Sequence, residues 1–229
     1  MLPSPPHGEL RVVDDVPAAF SALLAEEVST TTESSPEVFR LALSGGSTAR
    51  ACYEHLATVP GIDWGLVHCF VGDERCVPPD DADANQRLIR QSLLDRLEEP
   101  PRFHPMDCAR LPVYSTLVGS FSGFDFVHLG LGPDGHTASI FPGSAALEAP
   151  PDELVMENVD PSGRNPHRRG TLTFLALARA KLAVFTVSGP EKRDALSQVL
   201  RGDDLPAGRV ASERVIWLCD QAALGPGVS

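Results

Sequence analysis

Residues 38–59 read VFRLALSGGSTARACYEHLATV, and this stretch decides the fold class. Residues 38–44 are short and mostly apolar, as a buried strand requires, and they run straight into Gly45-Gly46. Residues 47–59 then repeat apolar side chains at helical spacing. Strand, glycine turn and helix in direct succession form half of a βαβ unit. The alternation continues on both sides. ELRVV (9–13) predicts a strand, and VPAAFSALLAEEV (16–28) a helix behind the cap Asp15. STTTESSPE (29–37) reads as a polar linker. WGLVHCFVG (64–72), FDFVHLGLG (124–132), KLAVFTVSG (181–189) and RVIWLCD (214–220) predict further strands. ELVMENV (153–159) and GTLTF (170–174) are extended, while QRLIRQSLLDRL (86–97) and PEKRDALSQVL (190–200) are helical. DERCVPPDDADAN (73–85) reads as a long loop. The pattern predicts an α/β, Rossmann-like fold, with a mostly parallel sheet flanked by helices. The Pro-rich patches at 3–6, 78–79, 100–112 and 142–151 read as loops inside one unit. One α/β catalytic domain over residues 1–229 is expected, with residues 1–8 as a flexible N-terminus.

Composition narrows the partners. Of the 229 residues 42% are hydrophobic, enough for a large core. No apolar run approaches the roughly 20 residues of a membrane helix. The 31 Asp and Glu outnumber the 19 Lys and Arg, giving a net charge of −12, opposite to the basic face of a nucleic-acid binder. The five cysteines (52, 69, 76, 108 and 219) are odd in number, widely spaced and without a C-x-x-C pair. That argues against a disulfide framework or a zinc site and predicts five reduced thiols in a cytoplasmic protein. MLPSPPHGEL at the N-terminus has no basic segment followed by an apolar one, so no secretory signal is expected.

In a parallel α/β sheet, ligands sit beyond the carboxyl ends of the strands, so the loops there carry the chemistry. Ser44-Gly45-Gly46-Ser47-Thr48 offers close backbone approach, free N–H groups at a helix start and two hydroxyls, which suits a phosphate. It also fits a plain capped turn. In Gly72-Asp73-Glu74-Arg75, three charges follow an apolar strand and call for a solvated cleft or mutual pairing. Arg75 can fork onto a phosphate, and Asp73 can hold Arg75 or contact sugar hydroxyls. Asn85 fits a helix cap and a ligand contact equally. In Gly130-Leu131-Gly132-Pro133-Asp134-Gly135-His136, Asp134 stands two residues before His136. A carboxylate there can orient the imidazole as a general base, and the glycine N–H groups nearby can face an oxyanion. A turn in which His136 caps the next helix is the plainer reading. Arg168-Arg169 enters an extended segment. Lys192, one of only two lysines, lies in the first turn of a helix, where the dipole disfavours a cation unless it reaches an anion. There is no G-x-S-x-G elbow and no His/Asp/Glu cluster at metal spacing, so neither metal nor cofactor is expected. The set describes a phosphate grip beside an Asp–His base that acts on water or on a substrate proton.

With these loops in place, the sequence resembles the 6-phosphogluconolactonase family over about residues 9–223. The blocks that carry the resemblance are LALSGGST, FVGDERCVPPDDADAN, FDFVHLGLGPDGHTASIFPG, RRGTLTFLAL, VSGPEK and VIWLCDQAA. GPDGHTASIFPG is the most specific of them. The related glucosamine-6-phosphate deaminases carry other patterns where this chain has Gly72–Arg75 and Ser139–Gly143. The resemblance implies a fold similar to the glucosamine-6-phosphate deaminase/ribose-5-phosphate isomerase type. It implies metal-free hydrolysis of 6-phospho-D-glucono-1,5-lactone to 6-phosphogluconate, the second step of the oxidative pentose phosphate pathway. His136 would be the base and Asp134 its orienting carboxylate. Arg75, Arg169 and Lys192, with Ser44, Gly45, Gly46, Ser47 and Thr48, would hold the phosphate, and Asp73 would face the sugar. Two departures stand out: Ala49 replaces a common proline, and the stretch between Asp107 and Phe124 is shorter than the family's helical segment, which puts the helix packing there in question. A deaminase- or isomerase-like enzyme and a non-catalytic sugar-phosphate binder are the alternatives. The chain is expected to be a monomer that binds neither nucleic acid nor membrane.

Overall fold

The apolar runs pair edge to edge because a strand buried on both faces can satisfy its backbone only through its neighbours. A computed structural model describes residues 5–34 and 38–225. In chain order the strands and α-helices are β1 (Glu9–Val12), α1 (Val16–Ser34), β2 (Phe39–Leu43), α2 (Ser47–Leu56), β3 (Val67–Val71), β4 (Asp73–Arg75), α3 (Asn85–Ser92), β5 (Arg102–His104), α4 (Leu111–Gly119) and β6 (Phe126–Gly130). They continue with β7 (Val155–Asn158), β8 (Arg169–Leu172), α5 (Phe174–Ala178), β9 (Leu182–Val187), α6 (Arg193–Leu200), β10 (Arg214–Cys219) and α7 (Gln221–Leu224). Seven strands form one sheet in the order β1-β10-β9-β6-β2-β3-β5, and every pairing in it is parallel. The chain winds outward through β2, β3 and β5 on one side and through β6, β9 and β10 on the other. The carboxyl ends of β2 and β6 therefore flank the point where the winding reverses, the usual place for a ligand crevice. A second, antiparallel sheet, β4-β8-β7, lies beyond the end of β3.

All six side chains of β9 are buried, as in a sheet covered on both faces. Phe185 on β9 stacks on Trp217 of β10, with ring centroids 3.8 Å apart. Among the described residues no helix is long and apolar enough to cross a membrane.

Several expectations need correction. The polar stretch after residue 28 continues α1 to Ser34 instead of forming a linker, with the Thr32 hydroxyl turned back onto the Val28 carbonyl at 2.9 Å. Residues 35–37 of that expected linker lie outside the described residues, as do residues 1–4 of the expected flexible N-terminus. His7, beside the latter, offers its carbonyl to the Trp217 indole N–H at 3.3 Å. The supposed loop at 73–85 begins with strand β4, because Asp73, Glu74 and Arg75 pair with Thr171, Gly170 and Arg169 of β8. The short 107–124 segment still supplies the nine-residue helix α4, anchored where the Val71 N–H donates to the Tyr114 hydroxyl at 2.9 Å.

The cysteine expectation also fails. Cys76 and Cys108 form a disulfide, with Cα atoms 5.4 Å apart and a sequence separation of 32. The fold brings the end of β4 beside the turn after β5, a proximity that sequence spacing does not reveal. Closing a loop of that length removes roughly 3–4 kcal/mol of unfolded-state freedom. Cys52, Cys69 and Cys219 are free and buried. Burial pushes the Cys52 thiol up to about 12 and the Cys219 thiol up to about 11.

A buried polar network fixes the loop after β2. The Ser44 N–H donates to the Tyr53 hydroxyl at 2.9 Å, and that hydroxyl lies 2.8 Å from His128 Nδ1. His128 Nε2 is 2.8 Å from the Thr186 hydroxyl, and the Ser44 hydroxyl donates to the His128 carbonyl at 2.6 Å. Burial drives the His128 imidazole down to about 3, so it stays neutral and can both donate and accept. Tyr53→Phe strands the Ser44 N–H and one His128 nitrogen. It should cost about 1–3 kcal/mol, read as a lower urea midpoint at unchanged slope; an unmoved midpoint would contradict this role.

Candidate active site

At the reversal point between β2 and β6 lies a cleft of about 250 Å³. Ser44, Gly45, Gly46, Ser47, Thr48, Asp73, Arg75, His136, Arg169 and Lys192 all line it, so the structure gathers ten of the eleven sequence-predicted residues at one cavity. The eleventh, Asp134, stands behind His136 and touches it.

The wall formed after β2 is an uncapped helix start. Gly46 precedes α2 with φ 102, a left-handed conformation that suits glycine, and no side chain caps the helix. The first-turn N–H groups and the positive end of the dipole face the cleft, which is the arrangement that binds anions. Gly45 has a packing reason of its own, because a Cβ there would fall 1.8 Å from Asn85 Oδ1.

The opposite wall is the antiparallel β4–β8 pair. Arg75 and Arg169 are register partners across it, so two guanidinium groups start from adjacent positions. Like charges directly opposite one another destabilise a sheet. Arg169 is only 4% exposed, and among the described residues neither arginine has an ion-pair partner. The Nε atoms of both are buried without an acceptor. Arg75 Nη1 donates to the Asp83 carbonyl at 2.5 Å. Burial, and then the charge of Arg75, lower the Arg169 guanidinium from its ordinary value. A third cation, Lys192, caps the turn before α6 and donates from Nζ to the Leu131 carbonyl at 2.9 Å, which leaves it two further donors at the cleft.

Asp73 does not hold Arg75. Its carboxylate accepts from the Ser139 hydroxyl at 2.6 Å and from Asn85 Nδ2 at 3.3 Å, and it is buried. Nor does Asn85 cap α3. Glu74 does so, its carboxylate accepting the N–H groups of Arg75, Asn85 and Gln86 at 2.7–2.8 Å. Burial raises the Glu74 carboxyl even so, with those three N–H groups opposing the rise. Asn85 is instead a strut between Asp73 and Gly45, with Nδ2 donating to the Asp73 carbonyl at 2.7 Å.

His136 and Asp134 form a tight contact beside the cleft. His136 Nδ1 is 2.5 Å from Asp134 Oδ1, and the His136 backbone N–H donates to the same oxygen at 3.2 Å. An ionised carboxylate only accepts, so Nδ1 carries the proton and Nε2 keeps a free lone pair. The ring leans on Phe141, centroids 4.9 Å apart. Gly132 is required here, since a Cβ at that position would fall 2.1 Å from His136 Nδ1. The glycine N–H groups expected to face an oxyanion are spent on the turn itself. Gly132 donates to the His136 carbonyl at 2.8 Å and Gly135 to the Gly132 carbonyl at 3.0 Å. Ala138 follows with φ 47, a strained conformation for a residue with a Cβ, at the lip of the cleft.

Sequence reasoning missed Ser139, Asn165, Phe141 and Thr186, all of which line the cavity. Ser139 lay inside the quoted HTAS block, but only the fold shows that its hydroxyl meets Asp73. Thr186 lay in a strand that reads as core.

A wholly parallel main sheet with a polar cleft at its reversal point places the chain among Rossmann-like α/β proteins. The family model for glucosamine-6-phosphate isomerases/6-phosphogluconolactonase matches residues 13–217. The chain is 35% identical to a 6-phosphogluconolactonase of Synechocystis over 203 residues, 80% of this chain and 82% of that one. It is 36% identical to a Mycobacterium tuberculosis 6-phosphogluconolactonase over 206 residues, 80% of this chain and 83% of the other. The crystal structure of 6-phosphogluconolactonase from Thermotoga maritima superposes with a TM-score of 0.78 at 31% identity, covering 93% of this chain and 99% of that one. A monomeric glucosamine-6-phosphate deaminase shares the fold, with a TM-score of 0.78 at 19% identity. The chain belongs to the glucosamine-6-phosphate isomerase/6-phosphogluconolactonase family.

Burial alone would raise the Asp134 carboxyl, but the hydrogen bond and charge of His136 hold it below the ordinary aspartate value. Ionised Asp134 therefore stabilises the fold above its unfolded value of about 3.9, and this contribution is lost as pH falls through the lower folded value. Asp134→Asn should melt earlier than the parent at pH 7, with the gap narrowing below about pH 4. Thermal denaturation across that range checks this; a gap that stays constant in acid would contradict it.

Proposed function

We propose that this chain hydrolyses 6-phospho-D-glucono-1,5-lactone to 6-phosphogluconate, with His136 as general base. The observation that carries this reading is the Asp134-bound imidazole in the same cleft as two arginines that have no carboxylate partner among the described residues and whose Nε atoms are buried without an acceptor. A phosphate at one end of a small sugar lactone would bring its carbonyl within reach of the free Nε2. His136 takes a proton from water as the oxygen attacks C1, giving a tetrahedral oxyanion. Collapse breaks the bond from C1 to the ring oxygen, and the imidazolium returns its proton to that leaving oxygen. Asp134 stabilises the imidazolium in between. The start of α2, Arg75, Arg169 and Lys192 hold the phosphate, and Asp73, braced by Ser139, faces the sugar hydroxyls.

The same reading takes residues 1–229 as one catalytic domain, supported by a single hydrophobic cluster that runs from Val16 to Leu224. It takes the chain as a monomer, since among the described residues the exposed large apolar side chains are the scattered Val12, Val113 and Val159. It places the protein in the cytoplasm, where the Cys76–Cys108 disulfide stands among reducing thiols.

The test is lactone hydrolysis coupled to 6-phosphogluconate dehydrogenase, corrected for the spontaneous rate. His136→Ala should lose about 10²–10⁴ in kcat. Near-normal kcat in that variant would remove His136 from the mechanism. Arg169→Ala should act mainly on KM, because the phosphate is gripped alike in ground and transition states; an equal loss in kcat with unchanged KM would place Arg169 at the reacting centre instead.

A further inference from the structure

The disulfide has no task in lactone hydrolysis, yet it joins the active site. Cys76 directly follows Arg75 at the end of β4, and its N–H donates to the Arg168 carbonyl at 2.8 Å. It also opens the loop 76–84, whose Asp83 carbonyl receives the Arg75 guanidinium at 2.5 Å and whose Asp83 carboxylate meets His167 Nε2 at 2.9 Å. Cys108 begins the single turn Cys108–Arg110 that leads into α4. The flanking Met106 and Leu111 are buried over Gly170, where a Cβ would meet Leu111 Cδ2 at 2.6 Å and Met106 Sδ at 2.7 Å. Gly170 is the neighbour of Arg169 on β8. One sulfur thus sits one residue past the strand that carries Arg75, and the other on a segment held independently by apolar packing.

Accessibility separates this pair from the other thiols. Cys76 and Cys108 are half-buried, with exposed Pro78, Pro105, Asp107 and Ala109 around them, whereas the three free cysteines are fully enclosed. In a reducing compartment, disulfides that do form are usually transient or redox-sensing. We propose that the Cys76–Cys108 disulfide is a thiol-exchange site at which a dithiol reductant opens the bond and loosens the Arg75 side of the cleft. The effect on catalysis rests on Arg75 gripping the substrate phosphate as proposed above. A thiolate of the reductant attacks one protein sulfur, and the other leaves as a thiolate and takes a proton. The second thiol of the reductant then resolves the mixed disulfide, giving two protein thiols and an oxidised reductant. Met106, Leu111 and Tyr114 keep the segment in place after reduction. What is released is the start of loop 76–84, so the loop that presents the Asp83 carbonyl to Arg75 keeps only its far-end hold, through Glu74 on the Asn85 N–H. The His136 loop has separate anchors, through the Thr137 hydroxyl to the Gly130 carbonyl at 2.9 Å and the Asn158 amide, on β7, to the Ser139 carbonyl at 2.8 Å. The effect should therefore fall on KM and spare kcat.

The experiment compares wild-type protein equilibrated with oxidised glutathione and with dithiothreitol. Alkylation after denaturation, counted by mass, should label Cys52, Cys69 and Cys219 alone in the first sample and all five cysteines in the second. Reduction should raise KM for the lactone about three- to tenfold with kcat within about twofold, reversed on reoxidation. Cys108→Ser should show the raised KM of the reduced protein in both buffers. Calorimetry with 6-phosphogluconate, run in parallel, should show weaker binding to the reduced protein. Five labelled cysteines in the oxidised sample would overturn the proposal, as would equal KM and equal affinity in the two states. If neither state hydrolyses the lactone, the functional reading fails separately, and the change or constancy of the 6-phosphogluconate affinity still decides the switch.

Discussion

Two guanidinium groups at paired positions on adjacent antiparallel strands set the terms for the rest of the cleft. Arg75 and Arg169 are register partners, Arg169 is buried, and neither has a carboxylate partner among the described residues. Such a pair is unfavourable in isolation. It persists because the surrounding fold holds both strands: Glu74 binds β4 to the start of α3, Asp73 is tied to Ser139 and Asn85, and β8 is locked between β4 and β7. Under the proposed function, the cost of holding two guanidinium groups without a carboxylate partner is offset when a phosphate dianion enters between them.

This resolves the mismatch between a chain of net charge −12 and an anionic ligand. Net charge governs solubility and long-range encounter, while the local field of a cleft is set by the few groups that line it. Three cations and a helix start meet in one cavity, and the carboxylates nearest to it are turned onto hydrogen-bond donors: Asp73 onto Ser139, Glu74 onto backbone N–H groups and Asp134 onto His136. The negative surplus belongs to the outer surface. Lys181 shows the contrast, since it pairs with buried Asp125 at 2.7 Å and is spent on structure.

Much of this was legible in the sequence, for physical reasons. Parallel strands buried on both faces leave continuous apolar runs, so the central strands β2, β3, β6, β9 and β10 announce themselves, and glycines needed for close backbone approach mark the loops after them. The failures share a cause. β4 is three charged residues whose strand character comes only from pairing with β8. β5, at the sheet edge, is three residues long and carries no apolar run. The polar end of α1 has no core-facing stripe to reveal it. The disulfide joins residues that become neighbours only after β5 has docked on β3. Within the site, residue types were readable but their pairings were not: Asp73 turns away from Arg75, Glu74 takes the cap expected of Asn85, and the glycine N–H groups close a turn. These are choices among partners that share a cavity, and local sequence does not encode them.

The central claim is that the facing arginines exist to receive a phosphate while a separate Asp–His pair performs the hydrolysis. Its most direct test is the ratio of kcat/KM for 6-phospho-D-glucono-1,5-lactone to that for the unphosphorylated glucono-1,5-lactone. The expected result is a preference for the phosphorylated lactone of about 10³ or more, reflecting several charge-assisted hydrogen bonds worth about 1.5–3 kcal/mol each. A ratio within about tenfold of unity, equivalent to less than 1.4 kcal/mol, would contradict it.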